Sequence, residues 1–173
     1  MNATTPDTEL VETPPVAAAE ARAVAPARVS AIEEVTKSRL RTVGMEALLV
    51  EVAALLSSAQ ISAVVVCDAA GLPAGTITET LLVKQLGLGQ ADFLATRAGD
   101  VMTREITNCM PDDVLSEVLA MMHKRGLNHV LIVDASNKPL GVLNAPDGLR
   151  ALLAAGNYEE ALLRNYVMGV GYQ

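Results

Sequence analysis

The residues best suited to chemistry lie close together late in the chain: Gly141, Asn144, Asp147 and Arg150. Asn144 stands where a helix N-cap is expected, and Pro146 suits the first turn after it. Asp147 falls in that turn, beside backbone N–H groups that no helical carbonyl satisfies. Arg150 follows one turn later. Such a helix start can hold an anion on its free N–H groups. A carboxylate there either accepts from a ligand hydroxyl or simply balances the helix dipole. Arg150 is either a phosphate contact or a solvated helix charge.

The other reactive side chains assemble nothing comparable. His123 lies beside Lys124 and Arg125 and reads as a solvated helix face. His123 and His129 are too far apart in sequence to form a metal pair on one helical face. Ser57 and Ser58 have no evident base or orienting partner, so neither catalysis nor a metal is expected. Cys67 and Cys109 sit in apolar surroundings without CxxC spacing. They read as buried, reduced thiols and point to a reducing compartment. A redox sensor would need exposed thiols of low pKa.

The elements that must position Asp147 occur twice. Val64-Val-Val-Cys-Asp68 matches Val130-Leu-Ile-Val-Asp134, and Pro73 and Gly75 match Pro139 and Gly141, all at an offset of 66. That period is too long for a short-unit solenoid and marks a duplicated small domain. In the first copy, Leu40 to Val43 reads as a strand. Glu46 to Ser58 reads as a helix, because Leu48, Leu49, Val52, Leu55 and Leu56 fall at helical spacing. Ala63 to Cys67 and Pro73 to Ile77 are strands around a turn, and Thr78 caps a helix running to about Leu86. Ala31 to Ser38 is a short helical lead-in, and Gly87 to Gly99 a linker with a helical turn at Asp92 to Ala95.

The second copy opens with a one-turn helix at Asp100 to Arg104. Asn108 and Cys109 take the places of Thr42 and Val43. Pro111-Asp-Asp113 is expected to open a helix with acidic residues at its positive end. Val130 to Val133 and Leu140 to Leu143 are strands, and helix continues from Arg150 to about Val167 with a break at Gly156-Asn157. The resulting division is a disordered Ala/Pro-rich tail over 1–30, copies over 31–91 and 92–155, and a C-terminal helix with a Gly-rich tail over 156–173.

Composition removes several functions. A net charge of −7, one Phe, three Tyr and no Trp offer nucleic acid neither counter-charge nor stacking platforms. No run is long enough to span a membrane, and the N-terminus lacks signal-peptide order, so a cytoplasmic location is expected. The 51% hydrophobic content supplies a core, and that core must be aliphatic.

Each copy thus reads strand, helix, strand, strand, helix, with Gly-x-x-Thr78 or Gly-x-x-Asn144 at the last junction. This resembles the CBS domain over roughly Thr36 to Leu153. The second copy carries the clearer motifs: Asp100-Val-Met-Thr, Pro111-Asp-Asp, Met122, Leu127-Asn-His-Val130, Val133-Asp134, Gly141 and Asp147. With no catalytic or transporter domain attached, it looks like a stand-alone tandem pair, or Bateman module. The resemblance implies a mixed α/β (α+β) fold of two CBS motifs, each β-α-β-β-α, packed sheet to sheet about a pseudo-two-fold axis. It also implies two clefts that take adenine nucleotides, no required cofactor, and a homodimer.

In the family motif Gly-x-x-Thr/Ser-x-x-Asp, glycine admits the ligand, the hydroxyl caps the helix and touches phosphate, and the Asp takes the ribose. The first copy keeps Thr78 but has Leu81 at the ribose position, and the second keeps Asp147 but has Asn144 for the hydroxyl. The second copy is therefore the expected site. By the same resemblance Thr42, Val43, Asn108 and Cys109 face the adenine, and His129 lines a cleft. The leading expectation is a regulatory module sensing AMP, ADP or ATP and signalling to an unidentified protein, with no membrane or nucleic-acid partner. The alternative is a ligand-free dimerisation module with degenerate sites.

Overall fold

Two β-strands buried along nearly their whole length set the architecture. The structure is a computed structural model, and it describes residues 25–89 and 92–156. A 3₁₀ turn at Val29–Ile32 leads into α1 (Glu33–Arg39). The first copy follows: β1 (Thr42–Gly44), α2 (Leu49–Ala59), β2 (Ala63–Cys67), β3 (Pro73–Thr78) and α3 (Glu79–Gly87). A 3₁₀ turn at Phe93–Ala95 precedes α4 (Ala98–Val101). The second copy is β4 (Asn108–Cys109), α5 (Leu115–Arg125), β5 (His129–Val133), β6 (Pro139–Asn144) and a last helix, α6, over 145–156.

The sheets have orders β1-β2-β3 and β4-β5-β6. In each, the first pair is parallel and the second antiparallel. Registers repeat at the same offset: Val65 pairs Thr76, and Leu131 pairs Val142. Even the irregularity repeats, at Val66/Cys67 and at Ile132/Val133. The turns repeat as well. Asp68 Oδ1 accepts from the N–H groups of Ala70 and Leu72, and Asp134 Oδ1 from those of Ser136 and Lys138.

All five residues of β2 are buried because the strand is covered on both faces. Val64 and Val66 join Leu49, Val52, Leu56 and Ile77 in the first core. Val130 and Ile132 join Leu115, Val118, Met122 and Leu143 in the second. The alternate residues Val65, Cys67, Leu131, Val133 and Val142 form a third layer between the sheets, edged by the equivalent residues Leu40 and Ile106. Packing is therefore sheet to sheet about a pseudo-two-fold axis.

The lead-in helices cross over. α1 precedes the first copy but packs on β6 of the second, with Thr36 over Gly141. α4 precedes the second copy but packs on β3 of the first, with Met102 over Gly75. Thr103 and Thr76 exchange two backbone hydrogen bonds there, at 2.9 and 3.0 Å.

Some expected boundaries move. Pro111 to Asp113 form a turn, and α5 starts at Leu115 with Glu117 as its first-turn acid. Backbone bonds from Leu115 N–H to Ala27 O and from Val29 N–H to Asp113 O hold the preceding residues extended. The one-turn helix is Ala98–Val101 because Ala98 and Gly99 donate to Ala47 O and Met45 O, while Met102 turns extended. The first strand is Thr42–Gly44. The expected tail over 1–24, the helix beyond 156 and the closing apolar stretch lie outside the described residues. Among the described residues no helix is long and apolar enough to cross a membrane.

Candidate functional site

The two strand-to-helix junctions are built alike and end differently. The first N–H of α3, on Glu79, donates to Ser62 O at 3.4 Å. The first N–H of α6, on Ala145, donates to the equivalent Asn128 O at 3.0 Å. Thr78 caps α3 as expected, its Oγ1 accepting from Leu81 N–H at 3.2 Å. Asn144 holds the cap position without making the cap bond. Pro146 removes one of the two N–H groups a cap can reach. Among the described residues Asn144 Oδ1 is buried and accepts nothing. An orphaned acceptor of this kind is costly unless a ligand or water donates to it.

Asn144 lines a cleft of about 330 Å³ together with Asp147, Arg150 and Asn128 from the second copy, Gln60 and Ser62 from the first, and Arg39 at the end of α1. The Asp147 side chain is 8% exposed. Arg39 grips it with a two-pronged contact, Nε to Oδ2 at 3.0 Å and Nη2 to Oδ1 at 3.3 Å. Arg150 Nη1 adds a longer contact to Oδ1 at 3.4 Å, from a side chain that is 78% exposed. Two cations thus face one anion in a cleft where every other lining group is neutral.

The equivalent positions on the other side carry different charges. Glu105 takes the place of Arg39, and Leu81 that of Asp147. Glu105 turns to solvent and pairs with Arg125 at 3.2 Å. A separate small pocket of about 50 Å³ lies between the sheets, lined by Val65, Glu105, Ile106, Leu131 and Val142. His129 lines this pocket rather than the Asp147 cleft. Burial holds its imidazole pKa below the ordinary value of 6.5.

Of the ten expected site residues, Asn144, Asp147 and Arg150 come together in the larger cleft. Gly141 is pressed under α1: a Cβ there would stand 2.9 Å from Thr36 Oγ1 and 3.0 Å from the Thr36 carbonyl carbon. It serves close helix–strand packing. Thr78 belongs to the other junction. Thr42 and Asn108 are exposed on their short strands, and Val43 packs against the first core. Cys109 turns its side chain into the second core, where burial, with the Asp113 charge adding to it, pushes the thiol up to about 12. Burial, and then the Asp68 charge, also raises the Cys67 pKa. Among the described residues no cluster suited to a metal ion occurs.

Arg39 is the participant that motif reading misses. Its signal was available: extending the 66-residue comparison into the lead-in pairs Arg39 with Glu105, a charge reversal at matched positions. Ser62, Asn128 and Gln60 carry no motif and enter only because helix ends and strand starts meet at the cleft.

The comparisons with known proteins fit this architecture. The CBS domain family profile matches residues 98–154. No curated protein sequence matches the chain significantly. Among solved structures, a CBS-domain containing protein from Agrobacterium tumefaciens is 25% identical, with a TM-score of 0.65 over 75% of this chain and 96% of its own. A CBS domain pair in complex with 5′-methylthioadenosine and S-adenosyl-L-methionine is 19% identical, with a TM-score of 0.64 over 76% and 98%. The protein CBSX2, in complex with AMP, is 18% identical, with a TM-score of 0.63 over 75% and 98%. The chain thus carries a CBS domain at residues 98–154, and its described body has the fold of a tandem CBS-domain pair.

Proposed function

We propose that this chain is a non-catalytic regulatory module that binds an adenine nucleotide in the cleft at Asp147. The observation that carries the reading is the cleft itself. A helix start, two guanidinium groups, a buried carboxylate and an unpaired acceptor converge on about 330 Å³. Phosphate suits the two guanidinium groups, and a ribose diol suits Asp147 and Asn144 Oδ1. Two proteins of the same fold hold adenosine compounds, AMP in one, 5′-methylthioadenosine and S-adenosyl-L-methionine in the other. That supports the ligand class.

The cleft joins four parts of the chain: α1, the end of α2, the segment between α5 and β5, and the start of α6. A ligand that contacts these parts differently in two arrangements would shift the populations between them. The matched, exposed apolar residues Val83 on α3 and Leu149 on α6 supply a surface for a homodimer through which the shift would reach a partner protein. Thermal melting with AMP, ADP and ATP tests the reading, because a ligand that binds only the folded state raises the melting temperature. No rise at millimolar concentration would sink it.

One observation favours a second reading, a ligand-free dimerisation module: Asp147 is already paired with Arg39. Nucleotide-independent dimerisation in light scattering, with no co-purifying nucleotide in mass spectrometry, is the outcome expected of that reading.

A further inference from the structure

The geometry points to Arg39 as a specificity-determining residue that makes the cleft select phosphorylated ligands over the bare nucleoside. This inference rests on the nucleotide reading above and names what the site demands of its ligand. Both carboxylate oxygens of Asp147 are engaged, Oδ2 by Arg39 and Oδ1 by Arg39 and Arg150. A ligand hydroxyl that donates to Asp147 must displace part of this set. The Arg39 fork is the part in the way, since it comes from α1 across the cleft while Arg150 rides on the same helix as Asp147.

Once displaced, Arg39 is a cation whose side chain is only 31% exposed and which has lost its anion. Leaving a half-buried charge unpaired is unfavourable, and removal of one partner is the costly change in a buried ion pair. A neutral nucleoside offers hydroxyls to Asp147 and nothing to Arg39. A phosphorylated one offers both, and a guanidinium fork matches phosphate in two-pronged geometry. The cleft holds one more cation than anion, so an incoming phosphate meets a net positive site. The other side lacks this device, because Glu105 stands in the place of Arg39 and no carboxylate stands at Leu81. Phosphate selectivity therefore belongs to the Asp147 cleft alone.

Ligand binding then exchanges one ion pair for another: Arg39 leaves Asp147 for the phosphate, and a ribose hydroxyl takes its place. Arg39 closes α1, and α1 lies on β6 through Thr36 and Gly141. The exchange is thereby passed to the lead-in helix.

The test is calorimetric titration of the full chain with AMP and with adenosine, in wild type and in Arg39→Gln. In wild type, AMP is expected to bind at least about tenfold more tightly than adenosine. In Arg39→Gln that ratio should collapse to within about threefold, AMP binding weakening while adenosine binding holds or improves. Wild-type adenosine affinity within threefold of AMP overturns the inference and leaves the nucleotide reading intact. An unchanged AMP-to-adenosine ratio in Arg39→Gln assigns the phosphate elsewhere and also overturns it. Binding of neither compound to wild type removes the nucleotide reading and this inference with it. The wild-type comparison stands even where Arg39→Gln fails to fold, and Arg39→Lys, which keeps the charge but not the fork, should give an intermediate ratio.

Discussion

Thr36 closes over Gly141 so tightly that a methyl group on the glycine would stand 2.9 Å from the threonine hydroxyl oxygen. The matched glycine behaves alike: a Cβ on Gly75 would meet Met102 Sδ at 2.6 Å and Thr103 O at 2.9 Å. Thr36 and Met102 are themselves equivalent residues, so each lead-in helix seats on the other copy's third strand through the same glycine. Gly141→Ala is expected to destabilise the fold by about 1–3 kcal/mol, the range for overpacking, because Thr36 Oγ1, Cβ and carbonyl carbon stand in the way. Gly75→Ala should cost at least as much, since Met102 Sδ and Cγ would stand at 2.6 and 2.7 Å and Thr103 O, held by its backbone pairing with Thr76, at 2.9 Å. Urea unfolding checks both. Equal stability of Gly141→Ala and wild type would show that α1 is not held there.

Much of this architecture is legible from residue order. The repeated Val-rich strands, the Asp68 and Asp134 turns and the shared glycines follow from local chemistry and one constant offset. The crossing of the lead-in helices is not legible locally, because Thr36, Gly141, Met102 and Gly75 become partners only through the third dimension. The cleft shows the same division. Asn144, Asp147 and Arg150 share a helix start and can be read together, whereas Arg39 reaches Asp147 across 108 positions. Gly141 was readable as a glycine that must stay glycine, but not as one pressed under a helix. The acidic residues before α5 read as a helix start because Pro-Asp-Asp favours one, and backbone pairing with residues 27–29 overrides that preference.

The Arg39–Asp147 pair should contribute measurably to stability. Asp147 is 8% exposed, so deleting Arg39 leaves a buried carboxylate with one distant guanidinium. Arg39→Met is expected to cost about 1–3 kcal/mol, less than a fully buried pair because Arg150 remains. Asp147→Asn should cost a similar amount, and the double variant less than the sum of the two, with a coupling of about 0.5–3 kcal/mol. A double-mutant cycle by denaturant unfolding gives the number. Strict additivity would mean that the contact seen at 3.0 Å adds nothing to stability.

The cysteines should be inert in the folded protein. Cys109 is 6% exposed and its pKa is pushed up to about 12, and Cys67 is 8% exposed with its pKa raised as well. Thiolate is the reactive species, so a disulfide-type thiol reagent at pH 7.5 should react with neither until denaturant is added. Rapid labelling of either thiol in native protein would revive a redox role.

His129 should make the fold sensitive to mild acid. Burial places its folded pKa below the value of 6.5 that it has in the unfolded chain. Between those two values the unfolded state binds more protons, so stability falls as the pH drops through about 6.5 and levels off below the folded pKa. One proton limits this loss to about 1.4 kcal/mol per pH unit within that window. The full contribution is present above pH 6.5. His129→Gln cannot take up the proton, so its unfolding free energy should decline less than wild type between pH 7.5 and 5. Carboxylates that titrate at the lower end act on both proteins and cancel in the comparison. Parallel pH profiles for the two would mean that the imidazole is as free to protonate between the sheets as in water. Divergence beginning near pH 6.5 would tie the acid response to the pocket beside Ile106 and Leu131.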